Sequence, residues 1–443
     1  MKVLVYPHST GIGGSQLNAV EIAAAVRDRG HEVIVVSRSG PLTETIRRLG
    51  LPHVRLDPRA VRRPSRHAAA QLTWLAQRHG SDVVHGYEWP PGVEAFAGPR
   101  LRLDVPVVCT VMSMAVAPFL PRTMPLIVGT DQIRRQAISS GYHQVTLLEP
   151  PVDVRANAPS FDPGRFRSDL GLRADVPLVG VVSRLATELK LEGLLAACDA
   201  AGELASSGTP VQLVVVGDGL ARPLVEQAAA AANARAGRKV VTLAGLLDDP
   251  RPAYAAADVM LGMGGSALRS LAFGKPLVVQ GEHGFCELLT PESAPMFYRQ
   301  GWYGIGRQDA GRAASAARLV PILRELLGDP AMCARLGQYG RSLVVDRYSL
   351  DQAAATQVEA YTSTIGACAR VSRLDLAADT ARAGIGVLHH KTRRKWQRWR
   401  GTVAIDDFNT VARMQGAGQG IPDPERPSQP GSGSGIADRE DER

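Results

Sequence analysis

Aromatic residues make up only 5% of this 443-residue chain, and its five cysteines (Cys109, Cys198, Cys286, Cys333 and Cys368) stand far apart. No Cys-x-x-Cys pair occurs, which excludes a legible disulfide framework or zinc site and fits a reducing compartment. No apolar run approaches the ~18 residues that a membrane-spanning helix needs. No secretory leader is legible, because the first apolar run stops at Tyr6 and Pro7 follows. A cytoplasmic location is expected. Short-period repeats are also missing.

What is present is a globular composition, 45% hydrophobic and 21% charged. The length exceeds one ordinary core and suits two domains with extras. A formal net charge of +8 points to anionic ligands or surfaces without choosing among them.

Short apolar runs alternate with amphipathic stretches from the start. Val3–Tyr6, Val33–Val36, Val83–His85, Val107–Val111 and Leu126–Val128 read as strands. Gln16–Arg29 reads as a helix, with Ser15 as its N-cap and Gly30 just past its end. Such alternation means an α/β fold with a parallel sheet covered on both faces. The proline-rich stretch Glu149-Pro150-Pro151-Val152-Asp153 interrupts it. Strand patterns resume at Leu178–Ser183, Leu213–Val216, Val240–Leu243, Val259–Leu261 and Leu277–Val279. Helical patterns at Ala313–Gly328, Ala331–Val345 and Asp351–Ala369 then close a second domain. The expected division is 1–150 for the first domain, 151–165 for a linker and 166–370 for the second domain. A basic helical extension over 371–415 and a disordered tail over 416–443 complete it.

Each half carries a glycine-rich turn between a strand and a helix. The first is Ser9-Thr10-Gly11-Ile12-Gly13-Gly14-Ser15; the second is Gly262-Met263-Gly264-Gly265-Ser266. Glycines let the backbone approach a ligand, and a helix start offers unpaired N–H groups. Two such turns suggest one phosphate-bearing ligand in a cleft between two domains; a plain tight turn is the alternative. A dinucleotide fingerprint is disfavoured. Gln16 stands where its third glycine belongs, and the second strand ends Val35-Val36-Ser37-Arg38 without an acid. In the second turn, a cap at Ser266 puts Arg269 at the third helical position, where a capping box has Glu or Gln. A bound anion would offset the ~0.3–1 kcal/mol dipole penalty, and an arginine reaching to water is the alternative. Arg184 and Lys190 follow the strand Leu178–Ser183 and suit a diphosphate; the alternative is a Glu188–Lys190 surface pair.

These residues resemble the GT-B glycosyltransferases of the large retaining family 4, over about Met1–Tyr361. The resemblance rests on Gly11–Ser15 with Arg27-Asp28-Arg29-Gly30-His31-Glu32-Val33, and on Asp82-Val83-Val84-His85-Gly86-Tyr87-Glu88-Trp89. Val182-Ser183-Arg184-Leu185 with Lys190, Val215-Val216-Gly217-Asp218-Gly219 and Gly274-Lys275-Pro276-Leu277-Val278-Val279 extend it into the second half. It implies two Rossmann-like domains facing a cleft. It also implies hexosyl-type transfer, with retention, from a UDP- or GDP-sugar to a glycan, lipid-linked or small-molecule acceptor. Arg184 and Lys190 would then bind the donor diphosphate, with Gly13 and Gly14 approaching from the opposite domain. Gly264, Gly265, Ser266 and Arg269 would complete the donor site, with Leu246 beside the base. Glu282 would supply a carboxylate to the donor sugar, or else pair with Arg269. No cofactor and no metal are expected beyond the nucleotide-sugar substrate.

Departures from the family pattern are specific. Leu261 and Arg269 occupy the positions of its paired glutamates, and Met112 stands where a histidine often follows Thr-Val. Methionine accepts no proton. His85 and Glu88 are therefore the candidates for catalytic work on the acceptor side, although a satisfied core histidine is the alternative for His85. A non-catalytic relative that binds nucleotide sugar or a protein partner is the rival reading. Finally, Lys391–Arg400 holds six Lys/Arg and two Trp at the end of a helical pattern, Leu374–Arg400. An anionic membrane surface is the partner this suggests, peripheral to the inner face, and nucleic acid is not expected; a solvated helix end is the alternative.

Overall fold

The computed structural model describes residues 1–400 except Ile12, Val61, Arg62 and Met114; residues 401–415 and the expected tail 416–443 lie outside the described residues. Valine-rich runs build two sheets. The first orders its strands β3-β2-β1-β4-β5-β6-β7. They are β1 (Lys2–Tyr6), β2 (Glu32–Ser37), β3 (His53–Arg55), β4 (Val83–Tyr87), β5 (Val107–Val111), β6 (Leu126–Val128) and β7 (Val145–Leu147). The second orders β10-β9-β8-β11-β12-β13. It comprises β8 (Leu178–Val182), β9 (Gln212–Val216), β10 (Val241–Gly245), β11 (Val259–Gly262), β12 (Leu277–Gln280) and β13 (Cys286–Leu288). All pairings are parallel except β12 with β13. Central strands such as β4, β5, β9 and β11 are buried along their whole length, as continuous apolar runs require in a sheet covered on both sides. The three strands with no sequence signal, β3, β7 and β13, are three-residue edges with mostly half-buried residues.

Helix α1 (Gly14–Asp28) follows β1. Its N-cap is Gly13 in extended conformation, so Ser15 lies inside the helix instead of capping it. Helix α2 (Trp89–Ala95) follows β4, and α3 (Leu191–Ser206) follows β8. Helix α4 (Gly265–Ala272) starts after Gly264, whose φ of 57° suits a residue without Cβ. The expected Ser266 cap is therefore corrected. The Ser266 hydroxyl donates back to the Met263 carbonyl (3.1 Å), and Arg269 is the fifth helical residue, beyond the turn where the dipole penalises a cation most.

The chain crosses between domains twice. Val152 bridges to Ser349, and Glu149 pairs with Arg347 at 2.7 Å. Helix α5 (Leu350–Cys368), expected to close the second domain, instead crosses back to the first. Ala353, Ala354, Ala360 and Tyr361 share a core with Val3, Val5, Ala19 and Ala23. Small side chains on α5 and α1 let the two helices approach, and an amphipathic pattern alone does not name its partner. Helix α6 (Arg373–Trp399) also lies on the first domain, where Leu376 and Val387 pack against the core that holds Phe119. No described helix is long and apolar enough to cross a membrane.

Candidate functional site

The carboxyl edge of the second sheet gathers the expected cations. Gly217, just past β9, has φ 136°, and a Cβ there would lie 1.9 Å from the Ser183 carbonyl. That close approach lays the turn after β9 across the turn carrying Arg184. The Gly217 N–H donates to the Gly245 carbonyl (2.8 Å), which brings the turn holding Leu246 alongside; Leu246 itself is exposed. Lys190 is the N-cap of α3, so a cationic residue stands where a 16-residue helix opens its unpaired N–H groups. Neither Arg184 nor Lys190 forms an ion pair among the described residues, which contradicts the Glu188–Lys190 alternative. Burial, and then the neighbouring Arg184 charge, push the Lys190 ammonium down to about 8. Two cations kept together without a carboxylate fit a dianionic ligand.

Two glutamates shape this edge. Glu192, in the first turn of α3, accepts from the backbone of His283 (2.9 Å) and Gly284 (2.7 Å) and from the Ser315 hydroxyl (2.7 Å). Glu282, on the loop so held, accepts from the Leu189 N–H at 3.2 Å and from the Tyr303 hydroxyl at 3.2 Å. Leu189 has φ 63°, a costly conformation for a branched side chain, directly before Lys190. Glu282 thus reaches the loop that positions Lys190.

Arg269 does not pair with Glu282. Its partner is Glu21 on α1, at 3.7 Å, with both side chains about one-quarter exposed. Burial raises the Glu21 carboxyl above its ordinary range, and Arg269 opposes that rise. The pair joins α4 of the second domain to α1 of the first, so the two glycine turns begin helices that touch across the cleft.

Beside the first sheet, Glu88 directly follows β4 as the N-cap of α2, with φ 69°. Its carboxylate accepts from the backbone of Met112 (2.9 Å) and Ser113 (3.1 Å), from the Ser113 hydroxyl (2.8 Å) and from the Ser15 hydroxyl (3.4 Å). It therefore ties the ends of β4 and β5 to the first turn of α1, beside Gly13 and Gly14. His85 lies elsewhere. It is fully buried, with Nδ1 bonded to the Tyr361 hydroxyl (2.8 Å) and Nε2 to the Thr110 hydroxyl (2.7 Å). Its ring stacks on Tyr87 at 4.3 Å, and burial pushes its pKa down to about 3, so it stays neutral. With both nitrogens engaged by core partners, the geometry gives His85 the role of a satisfied core histidine.

Sequence reasoning missed Glu192, Tyr303, Ser113 and a buried cluster beneath the first turn. There Glu94, 1% exposed, accepts from the Tyr6 hydroxyl (2.7 Å), Arg63 (2.7 Å) and the Ser65 N–H (2.6 Å). Arg63 also donates to the His8 carbonyl. A tyrosine closing an apolar strand is the one local signal for this cluster.

Two family descriptions match the chain, one per half. "Glycosyltransferase Family 4" matches residues 12–154, and "Glycosyl transferases group 1" matches residues 176–317. A 2-deoxystreptamine glucosyltransferase from Streptomyces kanamyceticus is 26% identical over 375 residues, covering 72% of this chain and 92% of that protein. Among solved structures, a glycosyltransferase from Rickettsia africae ESF-5 superposes with a TM-score of 0.65 at 13% identity, covering 82% of this chain and 98% of that one. HepE of Anabaena, solved in complex with UDP, gives 0.62 at 18% identity, covering 82% of this chain and all (100%) of that one.

Proposed function

The chain belongs to the family 4 glycosyltransferases of the GT-B fold, and from that premise we propose that it moves a hexose from a UDP- or GDP-sugar, with retention of anomeric configuration. The acceptor is a glycan, a lipid-linked molecule or a small molecule. The observation that carries this reading is Lys190 at the N-cap of α3 with the Arg184 charge close enough to lower its pKa, two cations without an ion-pair partner among the described residues. As the glycosidic bond breaks, negative charge grows on the leaving diphosphate, and fixed cations and N–H groups stabilise it. Arg184 supplies a fork and Lys190 a point charge, in place of a metal ion. Gly13 and Gly14 bring the start of α1 to the same anion from the other domain, and Gly264, Gly265 and Ser266 form the floor next to it. Glu282 meets the donor sugar, while Glu88 shapes the acceptor side next to Ser113. His85 takes no part in the chemistry.

UDP-glucose is the first donor to test, supported by the name of the curated relative and by the solved complexes of HepE with UDP and UDP-glucose. The experiment is release of UDP from UDP-glucose, and of GDP from GDP-glucose, with and without acceptor mixtures. Release from one donor that disappears in Arg184→Ala supports the proposal; no release from any donor by folded protein overturns it.

A further inference from the structure

We propose that α6 is a strap that seats the first domain on an anionic lipid surface, with the acceptor-side edge of the cleft next to the bilayer. The helix has a docked face and an exposed apolar one. One is docked: Leu376, Asp379, Ala383, Gly386, Val387 and His390 recur at three- and four-residue spacing and are all at least partly buried. The other is bare. Leu374, Ile385, Leu388, Trp396 and Trp399 are 83%, 71%, 65%, 52% and 81% exposed. At about 3.6 residues per turn these five fall on one stripe opposite the docked face. Lys391, Arg393, Lys395 and Arg400 flank the stripe on both sides, and no Asp or Glu occurs from Thr380 to Arg400.

The docked face fixes the direction of the strap. The Thr123 N–H, just before β6, donates to Asp379 Oδ2 at 2.7 Å. Gly386 lies against Phe119, where a Cβ would come within 2.2 Å of the Phe119 Cβ. His390 meets the Trp89 ring at 5.2 Å, and Trp89 directly follows Glu88. The helix therefore runs from the amino end of β6 to the carboxyl end of β4. Its cationic end, Lys391–Arg400, begins one residue past His390 and so extends from the edge that holds Glu88.

Charge decides the occupant. A second copy would set cations against cations, and the carboxylates of this helix are engaged within its first half. Asp375 accepts from the Ser372 hydroxyl (2.7 Å), and Asp379 is held by Thr123 and by Arg382 (3.0 Å). A bilayer with anionic headgroups meets both features, because tryptophan rings favour the interface and lysine or arginine the phosphate layer. Binding to lipid stands independently of the transferase reading; the corollary, that the acceptor is lipid-linked, rests on it.

The test is co-sedimentation of the full chain with vesicles of phosphatidylcholine alone, or of phosphatidylcholine with phosphatidylglycerol. Binding is expected only to the mixed vesicles, with release as salt rises. Replacing Lys391, Arg393 and Lys395 together by Gln should lower the partition coefficient about a hundredfold, at about fivefold per cation. The exposed pair Trp396→Ser/Trp399→Ser should lower it too, with the same melting temperature and UDP-glucose affinity as the parent. Equal binding to neutral vesicles, unchanged binding by both variants, or a dimer abolished by the tryptophan variant would each overturn the strap. No donor binding by the parent chain, with vesicle binding intact, would sink the donor reading alone.

Discussion

Lys190 is held near pH 8 where an ordinary lysine titrates near 10.5, and this makes the donor proposal testable by pH. The sign follows from linkage. The unfolded chain holds this proton more tightly, so holding the charge in the folded state costs stability below pH about 8, and the cost fades as pH climbs toward 10.5. A bound diphosphate does the reverse and favours the ammonium. Nucleotide-sugar affinity should therefore fall as pH rises through about 8, with a proton taken up on binding, visible as a buffer-dependent heat. Lys190→Met should abolish that pH dependence and weaken binding without lowering the melting temperature. Arg184→Ala should cost about 1.5–3 kcal/mol of donor affinity, roughly ten- to a hundredfold in Kd, measured by titration. His85 shows why side-chain roles were harder to read. A histidine at the end of an apolar strand resembles a site residue, and its partners Thr110 and Tyr361, 25 and 276 positions away, reveal it as a core group. Tyr361→Phe should leave a buried nitrogen unpaired and lower stability by about 1–3 kcal/mol, with donor affinity unchanged.

Among the elements, the turns at the carboxyl ends of β8 and β9 do the most to build the site. Gly217→Ala would drive a Cβ into the Ser183 carbonyl from a φ of 136°. The backbone conformation alone should cost about 1–3 kcal/mol, and the displaced Arg184 turn should weaken donor binding beyond that loss of stability. The core strands and the helix after β1 were legible because continuous valine runs and a 3.6-residue period write burial directly into the sequence. Edges β3, β7 and β13 were not, since three half-buried residues carry no period. Cap positions were misplaced at Ser15 and Ser266 for one reason. In both turns glycine takes the cap without any side-chain bond, and the serine that follows is recruited inside the helix. The cation pair was legible from its place after a strand, whereas Glu192 and Tyr303 were not, because their partners lie about ninety and twenty residues away in chain order.

In the whole molecule, an ion pair links α1 of the first domain to α4 of the second, helix Asp131–Ser139 of the first packs on helix Ala294–Gln300 of the second, and α5 crosses back to the first. The Glu21–Arg269 pair is a charged contact between α1 and α4. Glu21 has a raised pKa, so its contribution is most favourable below its ordinary value of 4.5 and is lost as pH rises through the folded value. Removing the opposing cation should sharpen this. Arg269→Ala should melt lower than the parent at pH 8, and the deficit should shrink toward pH 5; Glu21→Gln in the same chain should restore the melt. The central claim is that one anionic donor is gripped by Arg184 and Lys190 at the face of the second domain. Its most direct measurement is calorimetric titration of UDP-glucose and GDP-glucose into the parent chain and into Arg184→Ala/Lys190→Met, at pH 7 and pH 9. Saturable binding of one donor at pH 7, weaker at pH 9 and lost in the double variant, is the expected result. Binding that is equally tight in the double variant, or no binding to folded parent protein at either pH, would contradict the claim.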